Sequence, residues 1–182
     1  MTAAPLPLAD LVARARGGGR ADLEELVRRS HPRIHALAYH MLGSAPDAED
    51  AAQEALLRLC LRLRDLRDPE RYWAWALRVA GNHFRDLLRR RAPSQLPLDE
   101  ACDLPVPDQA ARSAERSELR ERVLQALRAL SLPLRLVVVL RDAEGFSTQE
   151  VAEALDLPEG TVKSRLFEAR RQLRASLGGC LD

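Results

Sequence analysis

Apolar residues recur along this chain at steps of three and four, the period of one helix face, and β-branched runs are absent except at Val137 to Val139. The pattern predicts helices throughout. Leu8, Leu11, Val12 and Ala15 mark a short first helix that stops at Gly17 to Gly19. Leu23, Leu26, Val27, Ile34, Leu37, Ala38 and Met41 mark a second, ending at Gly43, with a break or kink expected at Pro32, which has no N–H to donate. A third starts at Ser44, where Ser-Ala-Pro-Asp reads as a capping box, and continues through DAEDAAQEALLRLCLRLRDL. A fourth follows the Pro69 turn, with Trp73, Leu77, Ala80, Phe84 and Leu88 on its inward stripe. Four such helices suffice for one bundle over residues 1–91.

Periodicity lapses over 92–114, where Pro93, Pro97, Pro105 and Pro107 alternate with Asp99, Glu100, Asp103 and Asp108. That composition predicts a flexible linker. Residues 115–178 resume the helical pattern with Leu119, Val123, Leu127 and Leu130, followed by SLPLRLVVVLRDAEG. The latter reads as a buried helix capped by Ser131, with Pro133 in its first turn and Gly145 at its close. The predicted fold class is all-α: two small helical bundles joined by a flexible linker, without an internal repeat.

The second bundle ends in two short helices joined by a tight turn, the arrangement of a helix-turn-helix. Ser147 and Glu150 form a capping box at the start of the first, and Asp156 and Glu159 around Pro158 repeat the device at the second. Val162, Leu166, Ala169 and Leu173 fall on one inward stripe. Thr161, Lys163, Ser164, Phe167, Arg170, Arg171 and Arg174 lie off it, offering charge for phosphates, hydroxyls and a ring with no core to enter. A helix so dressed fits a DNA major groove. A solvated outer face would also be basic; the caps, the short turn and Phe167 together favour nucleic acid.

Composition narrows the class. Hydrophobic residues make up 46% of the 182, which excludes a disordered chain, and aromatics only 4%, so the core is aliphatic. Because 28 basic and 27 acidic residues nearly cancel, any contact with nucleic acid uses sorted patches. Cys60, Cys102 and Cys180 are odd in number, far apart and without C-x-x-C spacing, supporting neither a disulfide framework nor a zinc site. No apolar run predicts membrane insertion, and the expected location is the cytoplasm. Nucleophile elbows, phosphate-cradling glycine loops and triads are missing, so neither an enzyme nor a bound cofactor is expected.

Three further groups call for explanation. Asp47, Asp50 and Glu54 share one face of the third helix, where Asp50 and Glu54 repel at the four-residue step. Either the face awaits a basic partner, or its acids complement the helix N-terminus, an explanation weakest for Glu54. Tyr72, Trp73 and Trp75 open the fourth helix and Arg85, Arg89, Arg90 and Arg91 crowd its end. Rings beside arginines suit unstacked bases, although Trp73 fits the core stripe and cations also favour a helix C-terminus. His31 and His35 stand four apart, but no neighbouring acid or cysteine completes a metal set, and Pro32 lies between them. No metal is expected there.

DAEDAAQEALLRL followed by WAWALRVAGNHFRDLLRRR, and then LPLRLVVVLRDAEGFSTQEVAEALDLPEGTVKSRLFEARRQL, resemble in order and spacing the extracytoplasmic-function (ECF) sigma factors, small bacterial initiation factors. The resemblance covers nearly the whole chain. It implies that Asp47, Asp50, Gln53 and Glu54 grip the β′ clamp helices of core RNA polymerase, and that the second domain meets the β flap. It implies that Tyr72, Trp75, Asn82, Arg85 and Arg89 serve recognition and melting of the downstream promoter element, with Leu63 to Pro69 lining a base pocket. Arg141, Thr161, Lys163, Ser164, Phe167 and Arg170 would then read the upstream element. By the same resemblance, the linker, about 70 Å long at ~3.3 Å per residue, spans the two elements. The domains are free to fold together and hide both binding faces, and an anti-sigma factor is a plausible further partner. Glu168 departs from the pattern, standing where family members often carry a basic residue. The alternative is a stand-alone helix-turn-helix regulator, which has no use for the acidic helix paired with the aromatic-arginine one.

Overall fold

A computed structural model describes residues 6–91 and 110–178. The prolines and acids of the linker, Cys102 and Cys180 lie outside the described residues. Within them the first bundle comprises α1 (Leu8–Arg16), α2 (Arg20–Leu42), α3 (Ala45–Arg62) and α4 (Tyr72–Arg91), with short 3₁₀ turns at Leu63–Asp65 and Pro69–Arg71. The second comprises α5 (Ala110–Ala129), α6 (Leu132–Val138), α7 (Thr148–Leu155) and α8 (Glu159–Leu177). The described residues contain no strand.

Several local expectations change. α2 runs unbroken through Pro32. Proline removes one hydrogen bond, but Ile34, Leu37, Ala38 and Met41, all fully buried beyond it, hold the helix on course. α5 starts at Ala110, inside the stretch assigned to the linker, because AARSAER contains good helix formers and no proline or glycine follows Pro107 until the helix is complete. The valine helix does not continue to Gly145 as one α-helix. It changes to a π turn over Val139–Ala143, in which Glu144 N–H reaches back five residues to Val139 O at 2.9 Å. Gly145, at φ 73°, then closes it.

Of the caps, only one is built as expected. Ser147 Oγ accepts from Glu150 N–H at 3.1 Å, and a Glu150 carboxylate oxygen accepts from Ser147 N–H at 2.8 Å. Neither Ser44 nor Ser131 makes a side-chain cap bond. Asp156 does not cap α8, whose N-cap is Pro158; it terminates α7 in the left-handed region at φ 54°. An L-residue there costs about 1–2 kcal/mol, partly offset in glycine by chain entropy. Asp156→Gly is therefore expected to raise unfolding free energy by roughly 0.5–1 kcal/mol, measurable by denaturant titration.

The two bundles share one hydrophobic core. Leu11, Val12, Leu37, Met41, Leu77 and Phe84 fill the first, and Val137, Val139, Leu140, Val151 and Val162 the second, each contributing about 1.5–3 kcal/mol by burial. α2 forms the seam. Arg135, buried in α6, donates to Met41 O across the seam at 2.9 Å and to Arg128 O at 2.5 Å. Gly43 ends α2 at φ 75°, where glycine is favoured, and a Cβ there would lie 2.8 Å from Arg128 Nε, so a larger residue would also have to displace the Arg128 side chain.

Candidate functional site

The acidic face of α3 points outward. Asp50, Gln53 and Glu54 are exposed, while Asp47 is half-buried. Ala48, Ala51, Ala52 and Ala55 occupy the opposite face and pack against α2 and α4, which fixes the helix's rotation. Arg58 donates to Glu54 Oε1 at 2.5 Å and holds its carboxyl below the usual range, with burial opposing and His83 nearby assisting. His83 Nε2 stands 3.6 Å from Glu54 Oε2 and makes no hydrogen bond; burial pushes that imidazole down. The face continues at the same helical steps into Leu57 and Leu61, exposed by 58% and 75%. The sequence reading missed both. LLRLCLRL holds more leucines than one inward stripe can bury, and that surplus was the available signal.

α4 divides its rings between core and seam. Tyr72 is only 2% exposed, its hydroxyl lies 2.6 Å from Ser30 Oγ, and burial pushes its pKa up to about 12. It offers no face to a base, and its assignment to downstream-element contact is withdrawn. Trp73 is half-buried. Its arginine partner comes from α2: Arg33 lies 4.9 Å from the Trp73 ring centroid and 3.7 Å from that of Phe146. Arg33 also donates to Glu144 O at 2.5 Å. The ring-and-arginine combination at the head of α4 thus joins the two bundles. Trp75 and Arg85 are half-buried, Asn82 is exposed, and Arg89, also exposed, donates to Asp86 Oδ1 at 2.6 Å. The loop from Leu63 to Pro69 is pinned by Arg16, which donates to Leu66 O at 2.6 Å and Arg67 O at 3.1 Å.

α8 buries Val162, Leu166 and Ala169 and turns its polar face out. Lys163, Ser164 and Phe167 are exposed, Phe167 by 68%, while Thr161 and Arg141 are half-buried. Ser164 Oγ donates to Thr161 O at 3.0 Å. Arg170 is exposed but doubly bonded to Asp142 at 2.6 and 2.8 Å, which couples α8 to the π turn carrying Arg141. Glu168 is answered within the helix: bonds from Arg171 and then Gln172 hold its carboxyl at about 2. It therefore stands as half of a local ion pair.

Packing the bundles does not hide both faces, as free folding together was expected to. α3 and α8 remain open, and α7 lies against part of α4, leaving Asn82 and Arg89 exposed. Arg78 of α4 donates to Glu153 O at 2.6 Å, and Arg71 stands 3.7 Å from the Glu153 carboxylate. His31 and His35, read as lacking an acid, are met by Glu49 of α3 at 3.7 and 3.5 Å. No described helix is long and apolar enough to cross a membrane.

Residues 26–93 match the model of Sigma-70 region 2, and residues 120–173 that of Sigma-70, region 4. The ECF RNA polymerase sigma factor SigE of Mycolicibacterium smegmatis is 35% identical over 157 residues, covering 83% of this chain and 60% of its own length. SigM of Mycobacterium tuberculosis, also an ECF RNA polymerase sigma factor, is 34% identical over 171 residues, covering 93% of this chain and 84% of its own. Among solved structures, CnrH in complex with the cytosolic domain of CnrY superposes with a TM-score of 0.74 at 28% identity, over 95% of this chain and 98% of that one. Two region matches in the right order, on the two bundles that carry the acidic and basic faces, agree with a relative matched over 93% of this chain: the chain belongs to the ECF RNA polymerase sigma factors.

Proposed function

We propose that this sigma factor docks on core RNA polymerase through α3 and places promoter DNA on α4 and α8. The carrying observation is that the acidic face of α3, the reading face of α8, and Asn82 and Arg89 of α4 are all exposed. Asp50, Gln53 and Glu54, with Asp47 at their edge, present negative charge to the basic clamp helices of β′, and Leu57 and Leu61 extend that face with apolar area. Lys163, Ser164, Thr161, Phe167 and Arg141 meet the upstream element, with Arg170 positioned by Asp142. Asn82, Arg85, Arg89 and Trp75 serve the downstream element.

Residues 1–91 form the polymerase-binding and melting unit on this reading, 115–178 the upstream reader, with contact to the β flap, and 92–114 the connection. The protein acts in the cytoplasm and supplies specificity, with the chemistry left to the polymerase. α7 lies against α4 near Arg78, while Asn82 and Arg89 are already exposed, so departure of α7 would widen the surface that α4 offers to separated strands. CnrH was solved in complex with the cytosolic domain of CnrY, which supports a protein partner for this chain as well, an anti-sigma factor on this reading.

Promoter binding by the holoenzyme tests the reading face. Lys163 is 68% exposed and only loosely paired, 3.7 Å from Glu159, so it is available to a phosphate. Lys163→Ala is expected to weaken upstream-element binding and to reduce the slope of log affinity against log salt by about 1. An unchanged slope and footprint would remove Lys163 from the interface.

A further inference from the structure

α8 carries an ion pair on its outermost line. Ser164, Glu168 and Arg171 follow one another at four- and three-residue steps, on the side opposite the buried Val162, Leu166 and Ala169. Glu168 binds Arg171 twice: Arg171 Nε donates to Oε2 at 2.9 Å and Nη2 to Oε1 at 2.7 Å. Gln172 donates to the same Oε1 at 2.6 Å, so the carboxylate is held by two neighbours. With its pKa at about 2, that carboxylate stays ionised across the neutral range. The adjacent cation, Arg170, is committed elsewhere, to both oxygens of Asp142.

A guanidinium offers its donors in a rigid, planar fork. The carboxylate occupies the edge of Arg171 that carries Nε, and the edge formed by its two Nη nitrogens has no partner among the described residues. That free edge matches the paired acceptors O6 and N7 of guanine, the commonest specific contact in the major groove. The side chain is 65% exposed, so a base can reach it. Pairing also sets direction. Side chains on a helix lean toward its N-terminus, and Glu168 lies one turn before Arg171, so the guanidinium is held toward the half of α8 that enters a groove. Released from Glu168, the same cation could answer any nearby phosphate. We propose that Arg171 reads a guanine of the upstream element, as a specificity-determining residue, and that Glu168 is the positioning residue that aims it. This rests on the reading that α8 meets the upstream element. Exposed pairs at this spacing are common on helices and add little stability. What sets this one apart is its place on the reading line and the third bond from Gln172. An acid among phosphates then has a use: Glu168 weakens non-specific attraction and gives a neighbouring cation its direction.

The test binds full-length protein, both free at low salt and as reconstituted holoenzyme, to duplexes randomised across the upstream element, and sequences the bound fraction. The parent should prefer guanine at one position of one strand. Arg171→Ala should reduce that preference by about tenfold or more and leave preferences at other positions unchanged. Arg171→Lys keeps the charge without the fork, so it should retain the salt dependence of binding and still lose the preference. Glu168→Ala should lower the same preference by at least about threefold while overall affinity holds or rises, because a carboxylate leaves the neighbourhood of the phosphates. Circular dichroism checks that these surface variants keep their helices. Equal weakening of Arg171→Ala on every sequence would make the residue a phosphate contact and overturn the proposal, as would full guanine preference in Glu168→Ala. A parental preference that no variant alters would overturn it while leaving the α8 reading in place. A parent with no upstream preference in either format would overturn both.

Discussion

Asp50→Arg should lower affinity for core RNA polymerase by about a hundredfold or more, ~3 kcal/mol, while leaving the melting temperature within a degree or so. Asp50 is exposed near the middle of the acidic face, and among the described residues it makes no ion pair or hydrogen bond. Nothing in the fold depends on it, so the substitution acts only where a partner arrives. A basic partner would then meet like charge in place of attraction, a penalty that grows as water is expelled. Glu54 is a poorer site for this experiment, because its carboxylate is already held by Arg58. The measurement is equilibrium binding of fluorescently labelled protein to purified core enzyme. Affinity within twofold of the parent would separate α3 from the docking surface.

Phe146→Ala is expected to cost about 3–5 kcal/mol of stability, the largest effect on folding of any substitution considered. Phe146 is 2% exposed at the seam, with the Arg33 guanidinium 3.7 Å from its ring centroid and the Trp73 ring 6.2 Å away. Burial lowers the Arg33 pKa, with Glu144 and Glu150 opposing, so the cation is accommodated at a cost that the two rings and the Glu144 carbonyl offset. Removing the ring leaves a cavity and strips that cation of the nearer of its two rings at once. Denaturant unfolding should show the loss together with a weaker coupling of the two bundles. A change below about 1 kcal/mol would mean that the seam contributes little and that the bundles stand independently.

The contrast between these two residues explains what the sequence could disclose. Periodicity located the four helices of the first bundle and α7 and α8 within a few residues, because a buried stripe such as Leu77, Ala80 and Phe84 leaves a local record at steps of three and four. The outward faces of α3 and α8 were legible for the complementary reason, since what does not fit the stripe must point away. The seam left no such record. Arg33 and Phe146 are 113 positions apart, and nothing in local spacing tells that the guanidinium near Trp73 comes from α2 and not from α4 itself. Tyr72 was misplaced for a related reason: its hydroxyl is satisfied by Ser30, forty-two positions away, so a ring that looked amphipathic proved to be core. The His31, His35 and Glu49 grouping was half visible, the acid belonging to another helix. Capping was overestimated where serine or aspartate occurred before a helix but the backbone geometry, as at Asp156, put the side chain to no such use.

On the proposed docking, structure and function are connected through the contact between α4 and α7. Core packing between the bundles holds α7 on α4; on the same reading, a polymerase at α3 and a promoter at α8 would act to pull them apart. A polymerase that binds α3 and DNA that binds α8 each favour the separated form only to the extent that they bind it more tightly than the packed one. The cost of breaking the seam is thus charged against promoter engagement, and variants that weaken it should engage more readily if they remain folded.

Run-off transcription with purified core RNA polymerase on a library of candidate promoters tests the central claim most directly. Adding this protein should produce transcripts from a defined subset of templates sharing an upstream and a downstream element, with none from core enzyme alone and none when Asp50→Arg is substituted for the parent. Transcription that the protein does not alter, although it binds DNA through α8, would contradict the account and support a regulator that works without core polymerase.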